Sequence, residues 1–143
     1  MKYTKLKKRI KKNEGFSLIP YKDQLGYFTI GYGHLILTDE KFYFTKKFNK
    51  IYFENLFNKD FKSAEAECIK TFNKNIYCDN KTKELLIEMT FQMGIKSVCG
   101  FKKMLGHIKK KQKYLAALEM TKSLWYKQTP KRVENLIKHY LGL

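Results

Sequence analysis

Two carboxylic acids near the start of the chain, Glu14 and Asp23, are residues of the type that a glycosidase uses in pairs. Glu14 and Asp23 are nine residues apart, and Thr29 follows six residues later. A glycosidase needs one protonated carboxyl group that protonates the leaving oxygen, and one ionised carboxylate on the other side of the sugar. The pair can therefore work only if its two carboxyl groups lie in different environments.

Glu14 falls on the apolar face of a predicted helix over residues 3–14. The earlier members of that face are Tyr3, Leu6 and Ile10, at spacings of three and four. Gly15 predicts the helix end. Partial burial and the negative end of the helix dipole would both raise the pKa of Glu14, as a general acid requires. A surface glutamate at a frayed helix end has the same position, so position alone leaves both interpretations open.

Asp23 lies in a predicted turn, residues 23–26, ahead of a small antiparallel sheet over about residues 17–37. The sheet is predicted from the alternation of Phe28, Ile30 and Tyr32 with Tyr27, Thr29 and Gly31. We expect a wet, hydrogen-bonded environment for Asp23, although turn aspartates are common for local reasons. Thr29 should project opposite to Phe28, and Gly31 beside it should leave room for a ligand or a water.

The remainder of the chain has helical patterns. A long helix is predicted from Phe53, Leu56, Phe57, Asp60, Phe61, Ala64 and Cys68. A buried helix marked by Leu85, Leu86 and Met89 should end at Gly94, and another is predicted from Tyr114, Leu115, Leu118 and Leu124. Thr129 as N-cap and Pro130 predict the start of a helix towards Tyr140. Strands near one end and helices elsewhere predict an α+β protein.

Length and composition indicate one globular domain. The chain has 143 residues, of which 43% are hydrophobic and 15% aromatic. It has no apolar run long enough to span a membrane, and the basic N-terminus lacks the apolar stretch of a signal peptide. Three cysteines, Cys68, Cys78 and Cys99, have no metal-type spacing and are expected to be free thiols. We expect neither a metal site nor a cofactor.

The net charge of +17 predicts an anionic partner, which could be nucleic acid, an anionic membrane face or the polymers of a cell envelope. Almost all of this charge is lysine, in a chain rich in Phe, Tyr, Ile and Asn. Drift towards AT-rich codons would give the same composition, so charge alone does not identify the partner.

Three segments, in the same order along the chain, resemble phage-type lysozymes of glycoside hydrolase family 24, most of all the members from T-even phages. The first comprises Glu14-Gly15, Tyr21-Lys22-Asp23 and Gly26-Tyr27-Phe28-Thr29-Ile30-Gly31-Tyr32-Gly33-His34-Leu35. The others are Phe91-Gln92-Met93-Gly94 and Trp125-Tyr126-Lys127-Gln128-Thr129-Pro130-Lys131-Arg132. The spacing of Glu14, Asp23 and Thr29 matches the catalytic spacing of that family.

The resemblance implies a lysozyme-like fold, in which a small antiparallel-sheet lobe and a larger helical lobe are joined by a long helix, with the cleft between them. On this basis the sheet lobe should cover about residues 14–50, the connecting helix about 51–72 and the helical lobe about 73–143. The helix over residues 3–13 would belong to the helical lobe.

The resemblance also implies a role for each matched residue. Glu14 would protonate the glycosidic oxygen, while Asp23 and Thr29 would hold the attacking water, as in an inverting enzyme. Leu35, Phe91 and Gln92 match positions that contact the sugar chain.

Three further residues match supporting positions of the family. His34 and Asp60 match an ion pair that we interpret as structural. Arg132 matches a position that contacts the catalytic glutamate. It is one of only two arginines in a chain with 28 lysines, and a guanidinium holds a carboxylate in one orientation better than lysine does.

The implied activity is that of an endolysin, a muramidase that hydrolyses bacterial peptidoglycan for host cell lysis. The alternative is a catalytically weak cationic protein of the same fold that binds the cell wall or disrupts membranes. No nucleic-acid-binding signature is present. We expect a monomer without stable membrane insertion, made in the host cytoplasm without a signal peptide. It would reach the wall or periplasm once a partner holin has opened the inner membrane.

Overall fold

The computed structural model describes residues 2–72, 76 and 79–143, and it confirms the predicted α+β class. The helices are α1 (Thr4–Glu14), α2 (Lys50–Thr71), α3 (Asn80–Met93), α4 (Ile95–Cys99), α5 (Lys102–Lys109), α6 (Lys113–Thr121), α7 (Leu124–Gln128) and α8 (Pro130–Leu141). The strands are β1 (Ser17–Lys22), β2 (Phe28–Gly31) and β3 (His34–Leu35), and a 3-10 helix covers Lys41–Phe44.

The chain forms two compact units, an N-terminal unit of residues 1–63 and a C-terminal unit of residues 64–143. The lobe boundaries implied by the family resemblance stay a prediction. No helix within the described residues has both the length and the hydropathy needed to cross a bilayer. Cys68 and Cys99 form no disulfide bond within the described residues, and Cys78 lies outside them.

The N-terminal unit contains α1, the sheet and the first part of α2. The prediction of an antiparallel sheet is confirmed, with strand order β1-β2-β3. Ile30 from β2 packs with Tyr43 from the 3-10 helix and Phe53 from α2 in a buried cluster. Aromatic side chains surround this cluster, so the short sheet is stabilised by helix packing as well as by its own hydrogen bonds.

The C-terminal unit is helical, and its helix ends follow the sequence signals. At the start of α3 the Asp79 carboxylate accepts a hydrogen bond from the Thr82 N–H at 2.7 Å, and the helix ends at Gly94, as predicted. Pro130 is the first residue of α8, also as predicted. The Thr129 hydroxyl, however, donates to the Trp125 carbonyl at 3.1 Å instead of capping α8.

The helix predicted from Tyr114, Leu115, Leu118 and Leu124 is present only in part, and these residues do not form its buried face. Tyr114, Leu115 and Leu118 lie in α6 but are exposed, while Leu124 is exposed in the separate helix α7. The face that α6 buries is instead formed by Ala116, Ala117 and Met120. Both sides of α6 are apolar, so its periodicity could not show which side faces the core.

Candidate active site

Glu14 is the last residue of α1 and is half-buried. Leu6 and Ile10, the preceding residues on its face, are fully buried, so Glu14 extends the inward face of the helix. Gly15 ends the helix with a φ of 74°, and its N–H donates to the Lys11 carbonyl at 3.0 Å. The sequence therefore fixes Glu14 at the negative end of the helix dipole.

Gly33 allows the turn between β2 and β3 to approach the Glu14 side chain. A Cβ atom at Gly33 would lie 2.9 Å from both Cδ and Oε2 of Glu14, a distance that real Cβ atoms do not tolerate. Gly33 also has a φ of 73°, which favours glycine. Glycine is thus needed here for two reasons, and the turn limits where the Glu14 carboxyl group can lie.

Asp23 is held in its turn by backbone hydrogen bonds. Its Oδ1 accepts from the N–H groups of Leu25 and Tyr27, each at 2.9 Å, and its carbonyl accepts from Gly26 at 3.0 Å. Its Oδ2 accepts no hydrogen bond from the described residues. One carboxylate oxygen is therefore fixed by the backbone, and the other can bind a water molecule.

Thr29 is buried and lies between two neighbours on one face of the sheet. It pairs with Tyr21 on β1 and with Leu35 on β3, so these three side chains share a face. The Thr29 hydroxyl donates to the Tyr21 carbonyl at 3.2 Å. Leu35 is exposed, which leaves its side chain available for a ligand.

The expectation of open space beside Gly31 is wrong. A Cβ atom at Gly31 would lie 2.7 Å from Cδ1 of Phe53, so the ring of Phe53 fills that space. Gly31 therefore serves the packing of α2 against the sheet and offers no room for a ligand or a water.

His34 and Asp60 are paired, with His34 Nδ1 2.7 Å from Asp60 Oδ2. His34 Nε2 lies 3.0 Å from Glu40 Oε1, a second carboxylate that the sequence did not reveal. Burial alone would lower the pKa of His34, but the hydrogen bonds and charges of Asp60 and Glu40 outweigh it and raise that pKa. The His34 imidazole thus joins β3, the segment before the 3-10 helix, and α2.

A second polar network is formed by Lys11, Glu54 and Tyr32. Within α1, Lys11 lies one helical turn before Glu14. The Lys11 ammonium and the Tyr32 hydroxyl both donate to the Glu54 carboxylate, the latter at 2.7 Å. Lys11 also lies 5.0 Å from the centre of the Tyr32 ring. The hydrogen bond from Lys11, and to a smaller extent that from Tyr32, lowers the pKa of the Glu54 carboxyl group. Burial, and to a smaller extent the Glu54 carboxylate, raises the pKa of Tyr32 to about 12. This network joins the last turn of α1 to the turn between β2 and β3 that contains Gly33.

Phe91 and Gln92 lie in the last turn of α3, within the C-terminal unit, and both are half-buried. The Gln92 side-chain oxygen accepts a hydrogen bond from the Trp125 indole N–H at 3.0 Å. The Trp125 ring packs edge-on against Phe101. The amide of Gln92 is therefore held in one orientation.

Arg132 lies in the first turn of α8, and its Nη2 is 3.9 Å from Oε2 of Glu88 on α3. Glu88 is fully buried, and a buried carboxylate requires a compensating charge nearby. The structure thus assigns Arg132 a carboxylate neighbour within its own unit. The predicted contact between Arg132 and Glu14 stays a prediction.

The structure adds residues that sequence reasoning missed. Glu88 interrupts the apolar run of residues 85–90, and that interruption was a usable signal. Gly33 lies inside the first of the three segments that resemble the family, but sequence reasoning assigned it no role. Glu54 gave no local signal, because its partners Lys11 and Tyr32 are 43 and 22 residues away along the chain.

Within the part of the chain that the structure describes, no cluster of three or more His, Cys, Asp or Glu side chains could hold a metal ion.

Comparison with known proteins identifies the family. Residues 11–140 match the family described as "Phage lysozyme". The chain is 36% identical to "Probable T4-type lysozyme 1" of Dictyostelium discoideum over 156 residues, covering 92% of this chain and 91% of that protein. It is 35% identical to "Probable T4-type lysozyme 2" of the same organism, with the same coverage. The predicted lysozyme-like fold is confirmed, and the chain belongs to the phage lysozyme family.

Proposed function

We propose that this protein is a muramidase that hydrolyses the β-1,4 bond between N-acetylmuramic acid and N-acetylglucosamine in bacterial peptidoglycan. The observation that carries the proposal is the contrast between its two carboxyl groups. Glu14 is half-buried at the negative end of a helix, whereas Asp23 is fixed by two backbone N–H groups with one oxygen left for water. Membership of the phage lysozyme family supports the same chemistry.

In the proposed reaction Glu14 donates its proton to the glycosidic oxygen as the bond from that oxygen to C1 breaks. A water molecule bound by Asp23 attacks C1 from the opposite face and gives its proton to the Asp23 carboxylate. Thr29 helps to position that water. The attack inverts the configuration at C1, and proton exchange with solvent restores both carboxyl groups.

The remaining site residues have binding or orienting roles in this proposal. Leu35, Phe91 and Gln92 contact the sugar chain, and Arg132 orients Glu14. His34 and Asp60 hold the sheet in place and do not take part in the chemistry.

We extend the proposal to lysis of a bacterial host cell, with a holin-type partner giving the enzyme access to the wall. This extension is supported by family membership alone.

Product analysis tests the proposed activity. Purified peptidoglycan digested by the protein should yield fragments whose new reducing end is N-acetylmuramic acid, detected by mass spectrometry after borohydride reduction. Proton NMR during the first turnovers should show the α-anomer, because inversion of a β-linkage produces it. New N-acetylglucosamine reducing ends would contradict the bond assignment, and an initial β-anomer would contradict inversion.

A further inference from the structure

Helix α6 is apolar on both of its sides. Ala116, Ala117 and Met120 form its buried side. Tyr114, Leu115 and Leu118 point away from the core with 72%, 44% and 51% of their surfaces exposed. A helix on the surface of a protein normally has a polar outer side, so this arrangement is unusual.

The three exposed side chains form one continuous strip, which we name the α6 outer face. At about 100° per residue, Tyr114, Leu115 and Leu118 fall within an arc of roughly 100°. Leu124, which begins α7, is also exposed. Contiguous exposed apolar surface of this kind marks an interaction site.

Lysines flank both ends of the α6 outer face. Lys109, Lys110 and Lys111 precede the helix and Lys122 follows it, and all four are exposed. The only acidic residue of α6, Glu119, is paired with Lys122 at 3.0 Å. Because this pair is neutral, the net positive charge beside the face comes from Lys109, Lys110 and Lys111, and its occupant should be negatively charged.

We propose that the α6 outer face docks the protein onto an anionic lipid surface. Nine residues give a helix about 14 Å long, too short to span a bilayer, so α6 would lie in the plane of the headgroups. Leu115 and Leu118 would enter the boundary with the acyl chains, Tyr114 would stay at headgroup level, and the lysines would contact lipid phosphates. An anionic lipid surface would bind both the apolar side chains and the lysines beside them. Wall polymers are anionic but offer no apolar layer for leucine side chains.

The test is co-sedimentation of the full chain with vesicles of phosphatidylcholine alone or mixed equally with phosphatidylglycerol. The variant Tyr114→Ser/Leu115→Ser/Leu118→Ser should bind the anionic vesicles about tenfold or more weakly than the wild type, because the inserted apolar area is lost. The matched control is Ile51→Ser/Ile69→Ser/Leu143→Ser, which removes three scattered apolar side chains that are 61–81% exposed. It should bind within about twofold of the wild type.

A second variant, Lys109→Gln/Lys110→Gln/Lys111→Gln, leaves the apolar residues intact and should also bind anionic vesicles about tenfold or more weakly. It keeps the proposal testable if the triple serine variant fails to fold. Equal binding to neutral and anionic vesicles, or equal binding by wild type and both variants, would overturn the proposal. Loss of binding to lipid-free peptidoglycan with unchanged vesicle binding would assign this face to the wall instead.

Discussion

The two compact units differ in how they hold their polar side chains. In the N-terminal unit, ion pairs and hydrogen bonds join the sheet to α1 and α2, through His34 with its two carboxylates and through Glu54 with Lys11 and Tyr32. In the C-terminal unit the buried polar residues Thr82, Glu88 and Thr90 all lie on α3, in a core that is otherwise apolar, and Glu88 is the one fully buried acid among the described residues.

The two units are therefore expected to contribute differently to activity and to stability. Glu14, Asp23 and Thr29 all lie in the N-terminal unit, where polar contacts set the positions of individual atoms. The helices of the C-terminal unit gain their stability from apolar packing, which tolerates surface changes. Substitutions of single polar groups in the N-terminal unit should therefore reduce activity far more than equivalent changes in the C-terminal unit.

Among the substitutions that test this difference between the two units, Asp23→Asn should have the largest effect on activity. The asparagine oxygen can still accept from the Leu25 and Tyr27 N–H groups, so the turn should remain, but the charge that activates water is lost. We expect kcat to fall about 10²–10⁴-fold, measured by release of new reducing ends from peptidoglycan. The control Asp39→Asn, at an exposed position of the same unit, should match the wild type. Activity of Asp23→Asn within a few-fold of wild type would remove Asp23 from the mechanism.

The next largest effect is expected for Gly33→Ala. The added Cβ would lie 2.9 Å from Glu14 Oε2, so the carboxyl group must move, and kcat should fall about tenfold or more. The left-handed backbone should cost a further 1–2 kcal/mol or so of stability.

Gly142→Ala separates these two effects, because Gly142 has a nearly identical φ of 74° but no contact closer than 3.9 Å. It should lose similar stability in thermal unfolding and keep full activity. If the two variants lose activity equally, the close approach to Glu14 has no catalytic role.

A smaller, pH-dependent effect is expected for His34→Asn. Because Asp60 and Glu40 raise the pKa of His34 in the folded protein, its contribution to stability is complete below the unfolded value of about 6.5. It is lost as pH rises through the folded value. The free energy of unfolding in urea should thus drop by about 1–3 kcal/mol in acid and by less in alkali.

His107→Asn provides the matched control for that experiment. His107 Nδ1 lies 2.9 Å from the neutral side chain of Gln112, in the C-terminal unit. Its substitution should change stability little at any pH. A stability loss in His34→Asn that grows with rising pH would contradict the ion-pair interpretation.

The smallest effect is expected for Arg132→Lys. This substitution keeps the charge beside Glu88 but loses the planar guanidinium that would orient Glu14. We expect a few-fold loss of kcat and a shifted pH optimum, whereas Arg9→Lys on α1 should change neither. Identical pH–rate profiles for both variants and the wild type would show that Arg132 has no role at the site.

Sequence patterns predicted those parts of the fold that depend on local chemistry. The ends of α1 and α3 follow from Gly15 and Gly94, and the start of α8 follows from Pro130. The positions of Glu14 and Asp23 on a helix end and in a turn were likewise predictable, because each depends on neighbouring residues.

Features that depend on distant residues were missed or predicted wrongly. The ring that fills the space at Gly31 comes from Phe53 on α2, and Glu54 is 43 and 22 residues from its partners Lys11 and Tyr32. The outer face of α6 was mistaken for a core face, because periodicity shows that a helix has an apolar side but not which of two such sides packs inward.

Glu14→Gln tests most directly the central claim, that Glu14 is the general acid. Glutamine keeps the size of the side chain but cannot donate the proton, so kcat should fall about 10²–10⁴-fold or more. The melting temperature should stay the same or rise, since a half-buried carboxyl group at a helix C-terminus is replaced by a neutral amide. The control Glu67→Gln, at an exposed position of α2, should match the wild type in both measurements. A Glu14→Gln enzyme that hydrolyses peptidoglycan within a few-fold of the wild-type rate would contradict the proposed mechanism.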